Sequence, residues 1–585
     1  MNRKERRSQK ARTKADLSYS DASLSSDILT AIRSAEESHA SGNLNQAIDI
    51  LRGALAPSRR HPLVLQLLGG FEDEKGLTAS GLALVKEAVK MAPHDHRILT
   101  NYARQLLRLG KNWEAVGTLS KIRSKAKEAP NILYMLGLAH TNLDQEQPAV
   151  DALKIYLDLQ PLDTNGRHLL SKVYLHFNRP KEARSLYTSM GDEFVKIPVF
   201  HHHYAWLLGQ LGEYRDATAI CKDAETEFPE YLDEFKNLAA QLLGQNGQTG
   251  PAIEIIDELL SRHPGDETLM AQKASLKLTK GDLMAGGEEF KNLSRGSDNL
   301  SKLKIPVWEF QQLKDDTLLV RGEQGIGEQV MFASLIAELK SKVKNIVLEC
   351  DHRLVSIFNR SFSDIPAYGW SDPPLPELQS PDIKHQIRMG DLISEYRRSF
   401  SRFPVRDGYL KANAEIAQSV RRYLKGDSDD LLVGISWRST SLSGGTDKSI
   451  PLSRWSKILQ VPNIKFVNLQ YGEPEHEIQA ISKKLGKRIE ILKNIDCTND
   501  IDGMVAAVSG LDLVITVSNV TAHYAGAVGT PVWVLLSPNH LWHWFLDRQD
   551  SPWYPSARLF ISKSYEEWMS IEHRVEDALM KFSSD

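Results

Sequence analysis

The chain has 585 residues, 41% hydrophobic and 25% charged, an ordinary composition for globular domains and enough length for about three to four of them. Its 72 Lys and Arg against 75 Asp and Glu leave a net charge of −3, which gives no global electrostatic case for a nucleic-acid partner. No apolar run reaches the length of a membrane span. The N-terminal "MNRKERRSQKARTKAD" is strongly basic but lacks the apolar region of a signal peptide. It predicts a solvated, disordered arm over 1–26 of a cytoplasmic protein, with binding of acidic lipid or RNA as the other reading. Cys221, Cys350 and Cys497 lie too far apart for a metal spacing or a disulfide framework, which fits a reducing compartment.

The first half is periodic. "GNLNQA" starts at Gly42, "GKNWEA" at Gly110, "GEYRDA" at Gly212 and "GDLMAG" at Gly281, at intervals of 68, 102 and 69 residues. These are close to two, three and two times about 34. Prolines at 93, 130, 161, 198, 229 and 264 keep the same step. Ala103, Ala139 and Ala205 stand where paired helices approach, and Ala47, Ala115 and Ala217 follow the turn glycine. The period and residue types resemble the tetratricopeptide repeat (TPR) family, over roughly 27–295. A single helical hairpin cannot bury its apolar face, whereas seven or eight stacked ones build a solenoid whose concave surface binds protein segments. "HHH" at 201–203 is not a metal motif, because helical ligands need spacings of three or four.

A linker over 296–316 contains "PVWEF" and leads into alternating strands and helices. "TLLVRG" and "NIVLEC" read as buried strands around the helix "EQVMFASLIAELKS"; "HRLVSIFNRSF" reads as a helix. After an irregular, Pro-rich stretch the alternation resumes with strands "DDLLVGISW", "KFVNLQYG", "RIEIL", "LDLVITV" and "PVWVLL". The helices between them are "PLSRWSKILQ", one from about Glu475, "IDGMVAAVSG" and "TAHYAGAVG". The pattern predicts two Rossmann-like domains facing a cleft, 317–428 and 429–585, with ligands outside the carboxyl ends of the strands.

Two strand–turn–helix segments carry the chemistry. In the first, Gly325-Ile326-Gly327-Glu328-Gln329-Val330 is a near-match to a dinucleotide fingerprint, with Glu349 and Asp351 a little over twenty residues on. Val330 replaces the third Gly and the acidic residues are offset, so NAD is weakly indicated. In the second, strand "LDLVITV" runs into Ser518, Asn519 and Thr521, with His523 in the first helical turn. Free N–H groups and the helix dipole favour an anion there. The same residues would equally serve as a helix cap and an interior histidine.

"LDLVITVSNVTAHYAGAVGTPVWVLL", with "DRQDSPWYPSARLF", "GISWRS", "DKSIPLSRW" and "FVNLQYG", resembles the donor-binding half of GT-B glycosyltransferases related to the bacterial heptosyltransferases, and most closely the bacterial TPR-linked glycosyltransferases. The layout also resembles the TPR-linked O-GlcNAc transferases and flagellin glycosyltransferases. The resemblance covers about 317–565 and implies a TPR solenoid followed by a GT-B fold. It places Thr521 and His523 in the diphosphate-binding turn. Ser518-Asn519 stands where heptosyltransferases usually have Asp-Thr, which leaves the donor sugar and nucleotide open. Lys448 matches a basic residue that neutralises donor phosphate, and otherwise reads as a solvated loop lysine. Ser436 and Arg438 line the cleft with Trp437, which otherwise reads as packing, and Gln470 matches a polar position near the nucleotide. Trp553 and Tyr554 read as packing. Glu328 matches the position of the proposed general base, usually Asp; its other reading is an acid favoured by a helix N-terminus. Glu323 is the weaker candidate.

The expectation is therefore a cytoplasmic, nucleotide-sugar-dependent glycosyltransferase whose solenoid recruits a protein acceptor for Ser or Thr glycosylation, a flagellin being the expected one. No metal and no cofactor are called for, the nucleotide sugar being a co-substrate. Two other readings are a TPR adaptor or chaperone with a non-catalytic domain, and a transferase acting on lipopolysaccharide or another glycan.

Overall fold

The computed structural model describes residues 25–56, 58, 60–177, 179–190, 196–293, 303–371, 373–439, 448–546 and 548–583. The basic arm, apart from its last two residues, lies outside them. The chain divides into two compact units, one up to Phe177 and one from residue 178.

The first unit consists of helical hairpins. Ser26–Ala40 pairs with Leu44–Leu55, Pro62–Glu74 with Thr78–Met91, His96–Arg108 with Asn112–Lys121 and Asn131–Asn142 with Glu146–Leu159, and Thr164–His176 follows. Gly42 and Gly110 turn the chain at φ +86° and +73°. Beyond each, an amide closes back across the helix end, Asn43 N–H to Ser38 O and Lys111 N–H to Leu106 O, both at 2.9 Å. A left-handed residue at that point suits glycine, and the closing bond satisfies an orphan carbonyl. Ala47, Ala103, Ala115 and Ala139 are fully buried where the helices meet.

The second unit starts with Pro180–Thr188 and continues through three more hairpins, Pro198–Gln210 with Tyr214–Glu227, Leu232–Gln245 with Thr249–Arg262, and Glu267–Lys280 with Leu283–Lys291. First helices of successive hairpins along the whole chain begin 33 to 36 residues apart, as the periodicity predicts. The last hairpin packs onto the α/β part: Phe290 meets Phe332 and Trp542 at 6.2 and 5.8 Å between ring centres, and Arg388 donates to the Lys291 carbonyl at 2.8 Å.

Two parallel sheets follow. The first contains β1 (Leu313–Arg321), β2 (Val343–Cys350), β3 (Ala367–Gly369) and β4 (Ile383–Arg388), in the order β3-β2-β1-β4. The second contains β5 (Leu431–Ser436), β6 (Ile464–Asn468), β7 (Glu490–Ile491), β8 (Leu513–Val517), β9 (Val532–Leu536) and β10 (Ala557–Ile561), in the order β10-β9-β8-β5-β6-β7. Counted from its own first strand and read from the other edge, the second sheet runs 3-2-1-4-5-6, the Rossmann order, and the first keeps its 3-2-1-4 part. Both are parallel throughout, and β8 and β9 are buried at every position, as doubly covered strands require.

Several elements differ from expectation. The predicted helix "EQVMFASLIAELKS" is broken into Ile326–Phe332, a 3-10 turn at Ala333–Leu335 and Ile336–Leu339. "PLSRWSKILQ" forms only a 3-10 turn and the short helix Ser456–Leu459. Strand β4, "IKHQIR", lies inside the stretch that reads as irregular. It is an edge strand, so it tolerates polar residues, and its buried Gln386 donates to the Ile305 carbonyl at 2.6 Å. Strand β10 and the helix Ala414–Lys425 are likewise absent from the sequence-level pattern.

The first sheet contains a buried charge pair. Arg321 of β1 meets Glu349 of β2 at 2.5 Å, both side chains being almost fully enclosed. Glu349→Leu leaves the guanidinium enclosed without its carboxylate, and urea unfolding of the full chain is expected to show a loss of roughly 3–5 kcal/mol. The double variant Arg321→Met/Glu349→Leu removes both charges and should recover most of that loss.

Candidate functional site

In an open α/β sheet the strand order reverses beside the first strand, and neighbouring loops part there to leave a crevice. In the second sheet that point lies between the carboxyl ends of β5 and β8. Strand β5 ends at Ser436 and β8 at Val517. Asn519 then caps the helix Val520–Val528, its Oδ1 accepting from Thr521 N–H at 3.0 Å and from Thr516 Oγ1 at 3.0 Å. Its Nδ2 donates to Ser436 Oγ at 2.8 Å and to the Arg438 carbonyl at 3.1 Å, so one amide ties the two loops together. Gln470, just beyond β6, completes the junction. Its Oε1 accepts from Ser436 Oγ at 3.1 Å and from the amides of Trp437 and Arg438 at 2.9 Å each. Arg438 forms an ion pair with Glu477, which also accepts from Trp437 Nε1 at 2.6 Å. Burial pushes the Arg438 guanidinium below its ordinary pKa. Ser518 Oγ accepts from Trp544 Nε1 at 3.0 Å.

The structure thus brings Ser436, Arg438, Gln470, Ser518, Asn519, Thr521 and His523 to one crevice. Most of their hydrogen-bonding capacity is spent on one another. Thr521 Oγ1 differs: it is buried and has no hydrogen-bond partner.

His523 lies one helical step beyond, 6% exposed. It stacks on Trp544 with ring centres 5.6 Å apart, and its Nδ1 is 2.8 Å from Tyr554 Oη. Burial pushes its pKa down to about 4, so it brings no positive charge to the turn at neutral pH. His543, 5.3 Å away between ring centres, is held well below the ordinary range by burial first, and then by the charges of His523, Lys448 and His540. Lys448 is near enough for its charge to bear on His543.

The first sheet supplies the opposite wall. After β1 the turn is held by Gln329, whose Nε2 donates to the Glu323 carbonyl at 2.6 Å and whose Oε1 accepts from Asp351 N–H at 3.0 Å. Glu323 is buried, its carboxylate accepting from Gly390 N–H at 2.9 Å. Glu328 is exposed, and its Oε2 folds back over Gly325 at the start of the helix. The acidic pair downstream is engaged: Glu349 with Arg321, and Asp351 with Arg353 at 2.9 Å. Gly327 touches the other wall directly. A Cβ built there would lie 2.9 Å from His523 Cδ2 and 3.3 Å from its Nε2. The glycine is needed for the approach of the histidine ring.

Sequence reasoning missed four residues of this arrangement: Tyr409, His543 and Trp544 altogether, and Tyr554, which read only as packing. Tyr554 does pack, fully buried, but also holds His523. The aromatic run "HLWHWF" was the available signal for His543 and Trp544. Tyr409 carries none, because its place follows from backbone: the amides of Tyr409 and Leu410 both donate to the Ala527 carbonyl, at 2.8 and 3.0 Å.

Two outcomes are expected. Gly327→Ala forces a methyl into the enclosed His523 edge and should lower stability by about 1–3 kcal/mol in denaturant unfolding. For His523, the folded pKa of about 4 lies below the ordinary unfolded value of 6.5. Its contribution is therefore complete above pH ~6.5 and disappears as pH falls towards ~4, amounting to ~3 kcal/mol. Unfolding followed across that window should show a shallower pH slope in His523→Gln than in wild type, with His543, His61 and His202, which burial also lowers, contributing to what remains.

No family model matches the chain. It is 27% identical over 471 residues to Protein FlbA of Caulobacter vibrioides, a match covering 77% of this chain and 78% of that protein. Among solved structures, a tetratricopeptide repeat protein from Parabacteroides merdae aligns at 17% identity and a TM-score of 0.35, over 43% of this chain and 98% of that one. A glycosyl transferase family 9 structure from Veillonella parvula aligns at 14% identity and a TM-score of 0.33, over 47% of this chain and 98% of that one. By its repeat step and its two strand orders, the chain is a TPR-type helical array joined to a pair of parallel, Rossmann-ordered sheets, a TPR plus GT-B-like fold.

Proposed function

We propose that the protein transfers a sugar from a nucleotide-sugar donor to a hydroxyl of a protein acceptor, with the helical repeats recruiting the acceptor and a flagellin as the acceptor to test first. The observation that carries this reading is the meeting of two walls. The turn bearing Glu328 approaches the helix start bearing Thr521 and His523, and the charge of Lys448 bears on the neighbouring His543. In the reaction, the acceptor oxygen bonds to the anomeric carbon as the bond from that carbon to the phosphate oxygen breaks. The leaving nucleoside phosphate keeps the electron pair, and the hydroxyl proton goes to Glu328. Lys448 and the Thr521 hydroxyl, which has no hydrogen-bond partner, are suited to the phosphate, since a nearby cation and an uncommitted donor stabilise developing negative charge. Ser436, Arg438, Gln470, Ser518 and Asn519 shape the donor crevice in this reading, chiefly by holding its loops.

One observation favours a second reading, a protein-binding adaptor with a non-catalytic domain: the polar groups of the crevice largely satisfy one another. Calorimetry against UDP, GDP, ADP and CMP sugars separates the two, since an adaptor binds none of them. For the transferase, incubation with a binding sugar nucleotide and flagellin should raise the acceptor's intact mass by one sugar or more. Glu328→Gln should slow that transfer by about 10²–10⁴-fold while leaving donor binding in place. Transfer at the wild-type rate would remove Glu328 from the role of base.

A further inference from the structure

Strand β9 runs into a loop, Ser537 to Phe545, that one side chain closes on itself. His540 Nδ1 lies 3.1 Å from the Ser537 carbonyl oxygen, and its Nε2 lies 2.9 Å from the Phe545 carbonyl oxygen. Both partners are backbone carbonyls, which only accept, so each ring nitrogen must donate. A neutral imidazole carries one N–H and can meet one of them; the imidazolium meets both. In the neutral form a nitrogen lone pair would face a carbonyl oxygen at hydrogen-bond distance, with no proton between them. Turning the ring over would set carbon edges against both oxygens, and among the described residues no other donor reaches either. The Phe545 end depends most on the bond. Phe545 is buried and adopts φ +59°, a backbone state that strains a bulky residue and persists only where its surroundings hold it.

We infer that His540 is a positioning residue: as an imidazolium it clips this loop shut and so holds Trp544 against the crevice, and the clip opens when one ring proton leaves. The clipped loop carries Trp542, His543 and Trp544. Trp544 Nε1 donates to Ser518 Oγ at 3.0 Å, and its ring stacks on His523. Trp542 meets Phe290 of the last helical hairpin, and Phe545 meets Phe400 with ring centres 5.0 Å apart. Loss of the proton leaves one carbonyl of the strained loop without a donor, which frees the loop to shift and the Trp544–Ser518 bond with it. The clip does not depend on the proposed transferase activity, whereas its effect on a sugar nucleotide rests on that reading. The charge of His540 bears on His543, which also feels Lys448. The helix Glu267–Lys280, packed on the Trp542–Trp544 turn, brings Lys273 and Lys277, both paired with Glu289. Beyond the loop Arg548 is paired with Asp550, and on the Phe403 side Arg397 is paired with Glu338. Among the described residues no carboxylate meets His540, so the two carbonyls are what hold its two protons. Burial keeps His523 and His543 neutral in the range where an ordinary histidine titrates, so neither imitates the switch.

The test is NMR of the full chain with ¹⁵N-labelled histidine and tryptophan, followed upward from about pH 5.5 to the pH at which His540 loses a ring proton. His540 is assigned by its loss in His540→Gln, and the Trp544 indole by its loss in Trp544→Phe. While His540 is doubly protonated, both of its N–H protons should be visible and protected from water. The Trp544 indole signal should move with the His540 midpoint. Its proton exchange, corrected for hydroxide, should rise about tenfold across that midpoint, as one lost hydrogen bond allows. In His540→Gln, whose amide does not titrate, both readouts should be flat over the same range. A doubly protonated His540 with either N–H in fast exchange overturns the clip. A Trp544 signal that ignores the His540 titration, or that still follows pH in His540→Gln, overturns the coupling. If His540→Gln does not fold, His540 is assigned by the contact of its ring N–H with Phe545, and the wild-type titration decides alone. For the crevice, calorimetry with UDP, GDP, ADP and CMP sugars is run on both sides of the His540 midpoint. A sugar nucleotide that binds should lose about three- to tenfold in affinity on the alkaline side in wild type and keep it in His540→Gln. Equal affinity on both sides in wild type overturns the effect on the crevice. Failure of the transfer reading shows separately, as no binding at either pH, and leaves the Trp544 result to decide the clip.

Discussion

The crevice between β5 and β8 depends on one side-chain amide. A parallel sheet that reverses its strand order leaves two loops diverging, with their backbone groups turned away from any ladder. Asn519 closes that gap by capping its own helix with Oδ1 and reaching Ser436 and the Arg438 carbonyl with Nδ2. Gln470 braces the same loop from the other side by gathering three donors on one oxygen. A buried polar network whose members satisfy one another is rigid, and a vacancy in it is costly. Residues that look like ligand contacts in a sequence can therefore serve first to fix the cleft in which contacts are made.

This explains how much of the molecule was legible beforehand. The repeats were readable because each unit must solve the same local problem: a left-handed turn that suits glycine and a helix crossing that suits alanine. Gly42, Gly110, Gly212 and Gly281 all adopt positive φ. Asp144 occupies the equivalent turn with φ +56° and no glycine, so the glycine signal skips that hairpin although the hairpin is there. The central strands were readable as apolar runs. Strands β4 and β10 were not, since an edge strand needs burial on fewer sides and its sequence can carry polar residues.

The site was legible in parts for the same reason. Ser436, Gln470, Asn519, Thr521 and His523 occupy strand ends and a helix start, places that a reading of strand–turn–helix units identifies. Their partners come from elsewhere in the chain. Trp544 reaches Ser518 from a loop 26 residues later, and Tyr409 is carried in by backbone bonds to Ala527. Nothing local in the sequence encodes such contacts. The near-match to a dinucleotide fingerprint shows the converse. The local pattern is real, but Glu349 and Asp351, which a ribose would need, are engaged by Arg321 and Arg353.

The two walls of the crevice differ in solvent, and that difference sorts their chemistry. Glu328 stands exposed to water at the start of its helix. It can act on a hydroxyl only once a ligand excludes that water, because a solvated carboxylate is a weak base towards an alcohol. His523 is already enclosed, neutral and oriented before any ligand arrives. A group fixed in advance needs no reorganisation at the moment of reaction. Gly327 joins the two environments. It lets the exposed turn come within contact of the buried ring, so that a ligand bound against the ring would also cover the carboxylate beside it. On the proposed reading, that contact sets the exposed base against a wall that is already dry before a ligand arrives.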